Sequence, residues 1–376
     1  MKPLRVLPIF GTRPEAVKMA PIVQRLAHTE GIDSKVLVTA QHREMLDQVL
    51  DLFEIHPDLD LNLMRPDQSL AQLSAQIFTH LDPVLEKMRP DWVLVQGDTT
   101  TVLCAALAAF YRRIRVGHIE AGLRTGDKWQ PFPEEINRRT AGVVADLHFA
   151  PTENSRQNLL REGVPDARIR VTGNPVIDAL HQIAEMPAPP EVYHLLQALG
   201  IQEGGRRLGL VTAHRRENFG EPIEAICRAL ARLAAEFAGE VEWIYPVHLN
   251  PHIQEPVRRI LGSTPHVTLL PPLEYLPLVH LQRRAALVLT DSGGIQEEAT
   301  ALKVPTLVLR EVTERPEGVA AGVLKLVGAD EERIVREAGR LLRDPAAYEA
   351  MSSAPNPFGD GHAAERIVQA LLEDAA

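Results

Sequence analysis

Short apolar runs alternate along the chain with longer segments whose apolar residues recur at helical spacing. A nearly continuous apolar run predicts a strand that is covered on both faces. The repeated order of strand and then helix predicts a doubly wound parallel α/β sheet. The predicted strands are Leu4–Phe10, Lys35–Thr39, Asp91–Val95, Arg115–Ile119, Leu147–Ala150, Leu208–Thr212, Val241–Pro246, Val267–Leu270, Leu287–Thr290 and Thr306–Leu309.

The helical segments carry recognisable start signals. Pro14 stands at the first position of one predicted helix, where proline is favoured, and Ser69 is placed to cap another. The predicted helices include Pro14–His28, Arg43–Phe53, Ser69–Met88, Pro222–Phe237, Gly293–Leu302, Asp330–Leu342, Ala346–Met351 and His362–Leu372.

The alternation breaks once, at the proline-rich stretch 185–190, and then restarts. Prolines without a regular pattern favour an extended spacer, so this stretch is the best linker candidate. The sequence therefore predicts two similar α/β domains with a cleft between them, which is a preferred place for a ligand.

Composition narrows the function classes. The chain has 376 residues, 45% of them hydrophobic and 24% charged, with a formal net charge of −10. This charge argues against nucleic acids and anionic membranes as main partners. No apolar run is long enough to cross a bilayer, and the N-terminal run predicts a buried strand and not a signal peptide. Cys104 and Cys227 form neither a metal motif nor a disulfide framework, which suits a reducing cytoplasm.

The segment Gly117–Arg139 concentrates acids and arginines at the end of a predicted strand, on a loop and at a helix start. It is either a solvated salt-bridge network or a site that handles an anion and moves protons. Glu120 ends a buried strand, where a carboxylate needs a partner or a function. Glu134 and Glu135 also fit an ordinary helix N-terminus, and the residues alone do not decide between them.

Two further strand ends in the first half carry candidate groups. Arg13 lies where a strand meets a helix start, which attracts anions, and Lys18 lies one turn further on. The alternative is an ordinary strand-to-helix turn, at about even odds. Asp98 either lies in the helix cap or is a carboxylate of the cleft. No GxGxxG fingerprint and no GK[ST] motif is present, which argues against dinucleotide and P-loop binding.

The second half carries a histidine and a glycine-rich turn at strand ends. His214 stands between a strand and two arginines, and such a histidine could neutralise a leaving group. The small residues Ser292, Gly293 and Gly294 open a helix and can present amides to a phosphate. Glu298 could accept hydrogen bonds from ribose hydroxyls. Arg310 and Arg315 follow the next strand and could reach the same pyrophosphate.

With these residues in hand, the chain resembles the non-hydrolysing UDP-N-acetylglucosamine 2-epimerases over nearly its whole length. The resemblance rests on many motifs in the same order: FGTRPEAVKMAP (10–21), TAQHREMLDQVL (39–50), GDTTT (97–101), GHIEAGLRTGD (117–127), PFPEEINR (131–138), TGN (172–174), TAHRREN (212–218), YPVHLNP (245–251), TDSGGIQEEA (290–299), TERPEGV (313–319) and NPFGDG (356–361).

The resemblance implies a GT-B-like fold, with two Rossmann-like doubly wound domains facing across a cleft. The expected boundaries are 1–172 joined by a returning C-terminal helix 361–376, and 173–360 for the UDP-binding domain. It also implies a cytoplasmic homodimer that interconverts UDP-N-acetylglucosamine and UDP-N-acetylmannosamine for surface polysaccharide. The reaction implied is elimination of UDP to 2-acetamidoglucal and re-addition, without cofactor or metal.

Site residues follow from the matched motifs. The implied acid/base residues are Asp98, Glu120 and Glu134, so the resemblance selects Glu134 over Glu135. The implied contacts to substrate and leaving group are His214, Arg13 and Lys18. The implied UDP cradle consists of Ser292, Gly293, Gly294, Glu298 and Arg315, and Arg124 and Arg138 become supports for the acids. Candidates for a second, activating UDP-N-acetylglucosamine are Gln41, Gln68, Arg215 and His248.

The chain departs from the family pattern in three places. At Arg310–Glu317 it reads REVTERPE, where members usually have RDTTERPE. It lacks the glycine that commonly precedes the strand after the UDP-binding turn, and reads Thr300–Pro305 there. Leu273 and Leu278 stand where some members have Gln and Phe near the uracil. Three alternatives stay open: a hydrolysing epimerase, a GT-B glycosyltransferase, and a non-catalytic nucleotide-sugar sensor.

Overall fold

The computed structural model describes residues 2–40, 43–63, 65, 68–202 and 204–375. The chain divides into two compact units, one formed by Met1–Ala179 with Phe358–Ala376 and the other by Leu180–Pro357. The strands are β1 Leu4–Phe10, β2 Ile32–Ser34, β3 Leu37–Val38, β4 Leu59–Asp60, β5 Trp92–Gln96, β6 Arg115–Ile119, β7 Leu147–Ala150, β8 Ile169–Val171, β9 Arg207–Thr212, β10 Val241–Pro246, β11 Val267–Leu270, β12 Ala285–Thr290, β13 Thr306–Val308 and β14 Leu324–Leu326.

Helices follow most of these strands. They are α1 Arg13–Ala27, α2 Arg43–Leu52, α3 Leu70–Met88, α4 Thr100–Tyr111, α5 Glu134–Val144, α6 Glu153–Arg161, α7 Pro175–Glu185, α8 Pro190–Ala198, α9 Glu221–Glu236, α10 Pro251–Leu261, α11 Tyr275–Arg284, α12 Gly293–Ala301, α13 Pro316–Ala320, α14 Glu331–Arg343, α15 Pro345–Ser352 and α16 Ala363–Ala375. Short 3₁₀ turns lie at Asp166–Arg168 and Arg216–Asn218.

Each unit contains one parallel sheet whose strand order reverses once. The order is β4-β3-β1-β5-β6-β7-β8 in the first unit, with β2 also beside β1, and β11-β10-β9-β12-β13-β14 in the second. Every strand pairing between these named strands is parallel. These are doubly wound, Rossmann-like sheets, so the predicted α/β fold class is confirmed. In such sheets ligands bind where the order reverses, which is between β1 and β5 and between β9 and β12.

Local sequence explains several of the element boundaries near these points. Thr12 and Glu15 form a reciprocal capping box at the start of α1, and Ser69 with Gln72 does the same at α3. The central strands β5, β9 and β12 are buried almost throughout, which fits their apolar sequences. The strands are therefore fixed by burial, and their carboxyl ends are placed where the loops carry polar residues.

The division between the units lies inside α7, between 179 and 180, and again between 357 and 358. It differs from the expected boundaries at 172/173 and 360/361 because the start of α7 is tied to the C-terminal segment. Asp178 accepts hydrogen bonds from the amides of Ala363 (3.2 Å) and Ala364 (2.9 Å) at the start of α16. The proline-rich stretch 185–190 lies within the second unit and leads into α8.

The C-terminal helix α16 belongs to the first unit, as expected, and Glu365 lies 3.1 Å from Arg25 of α1. Among the described helices, none combines the length and the apolar character that a membrane span requires.

Candidate active site

Glu15 joins the loops that follow β1 and β5, at the point where the strand order of the first unit reverses. Its carboxylate accepts hydrogen bonds from the amides of Gly11 (3.0 Å) and Thr12 (2.7 Å) and from the Thr99 hydroxyl (2.7 Å). Burial raises the pKa of Glu15, and these hydrogen bonds act in the opposite direction. Glu15 therefore fixes the backbone on which Arg13 and Asp98 stand.

Glu120 follows β6, and the side chains that hold it include Lys18, Gln96 and Asn174. The Lys18 ammonium donates to both of its carboxylate oxygens, at 2.7 and 2.6 Å, and Asn174 donates to Oε1 at 2.9 Å. The Gln96 amide donates to Oε2. Glu120 is only 7% exposed, so these donors replace the water that its charge has lost.

Asp98 follows β5 and pairs with Arg138 of α5. The Asn137 amide donates to the Asp98 carbonyl at 2.9 Å, which also holds this loop to α5. Burial raises the pKa of Asp98 and the Glu120 charge adds to this rise, while Arg138 and Lys18 oppose it. Asp98 and Glu120 thus interact within one cluster. The Asp98 carboxyl group is biased towards its protonated form, and Glu120 has Lys18 as its counter-ion.

His118 of β6 supports the same cluster from inside the sheet. Its Nε2 lies 2.8 Å from the carbonyl oxygen of Gly97, directly before Asp98. Burial lowers the pKa of His118 to about 4, so the ring is neutral at pH 7 and donates through Nε2–H. His118 was not among the predicted site residues, because a histidine inside a buried strand has no distinctive sequence signal.

The neighbours Glu134 and Glu135 occupy different environments at the start of α5. Glu135 is fully buried and accepts hydrogen bonds from the amides of Thr125 (3.2 Å) and Gly126 (3.4 Å), with Arg138 at 3.4 Å. It holds the preceding loop. The Oε2 atom of Glu134 is buried and has no hydrogen-bond partner among the described residues. Glu134 is thus the acid of the pair with an unused oxygen.

The arginines of this segment have structural partners. Arg124 donates to Glu162 at 2.8 and 2.7 Å and to the Leu123 carbonyl at 2.7 Å. Arg138 pairs with Asp98 and Glu135, as a support for the acids should. Arg13 at the start of α1 is half-buried, and no side chain in the described part of the chain pairs with it.

Asp291 is a buried carboxylate that holds loop amides of the second unit, as Glu15 does in the first. It follows β12 and accepts hydrogen bonds from the amides of His214 (2.8 Å) and Arg215 (2.8 Å) and from the Asn218 side chain (2.9 Å). It is fully buried. Asp291 therefore fixes the loop after β9, beside the reversal point of the second sheet.

His214 lies in that loop with its ring between a carboxylate and a second imidazole. Its Nδ1 is 3.5 Å from Asp291 Oδ1, and its ring stacks on His248 with centroids 5.5 Å apart. Burial lowers the pKa of His214; Asp291 opposes this, and Arg215 and His248 lower the pKa further. An anion beside this ring would favour its protonated form.

The start of α12 has the features of an anion site. Ser292 precedes the helix, and within the described chain no side chain caps its first amides. Arg315 lies against Gly293, where a Cβ atom would be 3.0 Å from its Nη1, and Arg315 donates to Glu297 at 2.7 Å. The amides of Gly293 and Gly294 and the Arg315 guanidinium therefore combine a helix dipole with a positive charge.

Glu298, one turn into α12, is oriented from the neighbouring helix. Tyr275 donates to its Oε1 at 3.3 Å and Gln282 to its Oε2 at 2.9 Å. Leu273 and Leu278 are partly buried and pack against the apolar cluster that contains Ile295 of α12. They are thus part of the core packing around the site.

Arg310 is more enclosed by acids than its sequence position indicated. It pairs with Glu217 and, at 2.8 Å, with Glu314. Burial by itself raises the pKa of Glu314, but Arg310 and Arg315 outweigh it and hold the pKa at about 2. Arg310 is thus held in an acidic network, and Arg315 is the arginine at the helix start.

The remaining predicted residues are placed unevenly. Arg215 follows His214 in the same loop, and the His248 ring stacks on the His214 ring. Gln68 has both amide atoms buried without a partner among the described residues. Gln41 lies outside the described residues. Each support missed from the sequence has at least one contact that is distant in the chain. These residues are Glu15, Gln96, His118, Asn174, Asp291, Tyr275 and Gln282.

Comparisons with known proteins agree with one another. The family model for UDP-N-acetylglucosamine 2-epimerase matches residues 24–372. The UDP-N-acetylglucosamine 2-epimerase of Yersinia pestis is 55% identical over 370 residues, which cover 98% of this chain and 98% of that protein.

Two solved structures are also similar. One is the UDP-GlcNAc 2-epimerase of Neisseria meningitidis bound to UDP-GlcNAc, with a TM-score of 0.91, 49% identity, and coverage of 98% of this chain and 100% of that chain. The other is the UDP-GlcNAc 2-epimerase of Methanocaldococcus jannaschii in complex with UDP-GlcNAc and UDP. Its TM-score is 0.81 at 33% identity, with coverage of 98% and 100%.

Proposed function

The chain belongs to the UDP-N-acetylglucosamine 2-epimerase family, and from this premise we propose that it interconverts UDP-N-acetylglucosamine and UDP-N-acetylmannosamine without net hydrolysis. The observation that carries the proposal is the cluster of Asp98 and Glu120. It supplies two interacting carboxyl groups in different environments, which is the arrangement that acid/base chemistry needs.

The proposed reaction begins with removal of the C2 proton by a carboxylate. This proton is not next to a carbonyl group, so the electron pair of the C2–H bond forms the C1–C2 double bond. The C1–O bond breaks and its electrons leave with UDP. UDP then adds back to the glycal, and C2 receives a proton on the opposite face. Two acid/base groups are required, drawn from Asp98, Glu120 and Glu134.

The proposed role of the second unit is to bind the UDP moiety. The amides at the start of α12 and the Arg315 guanidinium favour binding of a pyrophosphate. The Glu298 carboxylate would accept hydrogen bonds from the ribose hydroxyls. His214 becomes protonated as negative charge develops on the leaving group. Arg13, at the start of α1, is a further substrate contact. Lys18 contributes as the counter-ion of Glu120, to which it donates two hydrogen bonds.

The test is an epimerase assay in heavy water. UDP-N-acetylglucosamine should yield UDP-N-acetylmannosamine with deuterium at C2. Asp98→Asn, Glu120→Gln and Glu134→Gln should each lower kcat by about 10²- to 10⁴-fold, the usual worth of a general acid or base. Glu135→Gln is the matched control. Among the described residues its carboxylate bonds only to backbone amides and Arg138, so the variant should lose stability and keep kcat within about tenfold.

Three other results would redirect the proposal. Free N-acetylmannosamine and UDP at full turnover would indicate a hydrolysing enzyme. Transfer to an added acceptor sugar would indicate a glycosyltransferase. Tight binding without turnover would indicate a nucleotide-sugar sensor. We also propose that the reaction needs no metal, and loss of activity on chelation that a metal restores would contradict this.

The activator site remains a proposal from the family resemblance. His248 and Arg215 adjoin His214, so a second ligand there would act on the leaving-group histidine directly. His248→Ala should then remove any sigmoidal dependence of the rate on UDP-N-acetylglucosamine, while a hyperbolic wild-type profile would contradict the site. The cytoplasmic homodimer and the supply of surface polysaccharide likewise remain proposals.

A further inference from the structure

Two motifs of the sequence, TGN at 172–174 and NPFGDG at 356–361, have no role in the proposed binding of UDP. Within the first unit, the structure packs TGN against Phe358 and Gly359 of the second motif. The backbone N–H of Asn174 donates to the Phe358 carbonyl at 2.8 Å, and a Cβ on Gly173 would lie 3.1 Å from the Cα of Gly359. Arg366 donates to the Thr172 carbonyl at 3.0 Å. The motifs thus form one backbone junction.

This junction lies where the chain passes between the units. The chain leaves the first unit after Ala179, five residues beyond Asn174, and re-enters it at Phe358. The backbone of Asn174 is therefore hydrogen-bonded to the segment at which the chain re-enters the unit. Asn174 also directly precedes α7, the helix in which the chain leaves the unit.

The Asn174 side chain connects this junction to Glu120. It is 1% exposed, and its two polar atoms have separate partners. Oδ1 accepts from the Val176 amide at 3.2 Å, which caps α7, so Nδ2 must face Glu120, to whose Oε1 it donates at 2.9 Å. Only an amide satisfies both partners, because the capping position needs an acceptor and the carboxylate needs a donor.

We propose that Asn174 is a positioning residue, which holds the Glu120 carboxylate and ties it to the two crossings of the chain between the units. The inference rests on the proposed role of Glu120 as an acid/base group. A hydrogen bond from a neutral amide stabilises the charged carboxylate, so its loss shifts the titration of Glu120 to higher pH. Other titratable groups that interact with Glu120 include Lys18, Asp98 and His118.

Two substitutions separate the positioning role from the capping role. Asn174→Ser retains an acceptor for the Val176 amide and removes the donor to Glu120. Asn174→Asp retains the acceptor and places a second carboxylate beside Glu120. Asn158→Ser is the matched control, since Asn158 donates at 2.9 Å to the Gly122 carbonyl in the same segment and not to an acid.

The readout is the titration of Glu120 by NMR on full-length protein labelled with ¹³Cδ-glutamate, with the signal assigned by Glu120→Gln. Asn174→Ser should move the midpoint to higher pH by about one unit, and Asn174→Asp should move it further. The acidic limb of kcat/KM should move in parallel. Asn158→Ser should leave both unchanged.

Coincident midpoints in wild type and both Asn174 variants would overturn the inference. The NMR midpoint does not require turnover, so a wild type without epimerase activity would refute the proposed function and leave this result readable. Gly359→Ala tests the tie to the crossing, because its Cβ would lie 3.3 Å from the Asn174 nitrogen. Gly359→Ala should shift the titration midpoint of Glu120 to higher pH. An unchanged midpoint would reject the connection to the chain crossing but not the positioning role of Asn174.

Discussion

Glu120 has a backbone conformation that a glutamate rarely adopts, with φ at 61°. For an L-residue this left-handed conformation costs about 1–2 kcal/mol, and glycine avoids the cost. The conformation directs the carboxylate to Lys18, Gln96 and Asn174 at the carboxyl end of β6. Strain that persists at a cluster of polar groups points to a functional role, because stability alone would favour glycine.

This strain predicts a difference between two variants that both lack the carboxylate. Glu120→Ala retains the strain and Glu120→Gly releases it, while both leave Lys18 without its partner. Glu120→Gly should therefore be more stable by about 1 kcal/mol, against the usual preference for alanine. Urea unfolding of the two proteins measures the difference. Equal stabilities, or a more stable alanine variant, would show that the left-handed conformation is not strained here.

At the scale of one element, the start of α12 is built from two glycines with different surroundings. A Cβ on Gly293 would lie 3.0–3.1 Å from the Arg315 guanidinium, whereas one on Gly294 would meet only Glu298 at 4.0 Å. Both positions are at the N-terminus of the helix, so backbone propensity affects them alike. The two glycines therefore separate the position of Arg315 from helix stability.

Gly293→Ala should weaken UDP binding about tenfold, which corresponds to about 1.4 kcal/mol, because the methyl group displaces Arg315 from the helix start. Gly294→Ala should change the affinity by less than about threefold, and neither variant should lower the unfolding temperature much. Isothermal titration calorimetry with UDP measures both affinities. Equal losses in the two variants would mean that Arg315 does not act with these amides on the pyrophosphate.

The fold was largely predictable from the sequence because its central strands are apolar on both faces. The parallel α/β class, the returning C-terminal helix and the cap at Ser69 agree with the structure. Marginal elements were not predictable. The expected strand Lys35–Thr39 is only Leu37–Val38, and the strand Ile32–Ser34 was missed because only one of its three residues is apolar.

The positions of the candidate residues could be predicted best where a residue stands at a strand end. Asp98, Glu120, His214 and Ser292 are at such ends, and there the parallel topology fixes their place. Their supports depend on tertiary contacts that no local pattern records. Asp291 bonds to amides 76 and 77 positions away along the chain, so its role could not be read from sequence alone.

At the scale of the whole molecule, two buried histidines link stability to pH. His118 and His148 are opposite each other on β6 and β7, and burial lowers the pKa of His118 to about 4 and that of His148 to about 3, the latter also through repulsion by His118. In the unfolded chain each titrates near its usual value of 6.5. Their contribution is thus complete above pH 6.5 and is lost as the pH falls towards 4.

The first unit should therefore lose about 2 kcal/mol per histidine between pH 7 and pH 5. Buried acids with a raised pKa, such as Glu15 and Asp98, act in the opposite direction. The comparison of wild type with His148→Gln isolates the histidine contribution. Urea unfolding at several pH values should show a shallower pH dependence in the variant, and parallel curves would contradict the assignment.

The same first unit carries exposed apolar side chains on three helices packed side by side, α3, α4 and α5, which we call the α3–α5 face. It contains Phe78, Phe110, Tyr111, Ile136 and Val143, of which Phe110, Tyr111 and Val143 are 55%, 67% and 84% exposed. A large exposed apolar patch marks an interaction surface. Asp82, Glu86, Arg139 and Glu162 line or border it, so a second copy related by a two-fold axis can bring opposite charges together.

The expected homodimer should therefore depend on this face. Tyr111→Asp places a charge on this face and should shift the protein to monomer in size-exclusion chromatography with light scattering. Tyr193→Asp is the matched control, since Tyr193 is 61% exposed on α8 of the second unit and lies outside the face. The control should remain dimeric, because a charge on an isolated exposed tyrosine opposes no partner surface. A monomeric wild type would refute the homodimer, and a dimeric Tyr111→Asp protein would place the interface elsewhere.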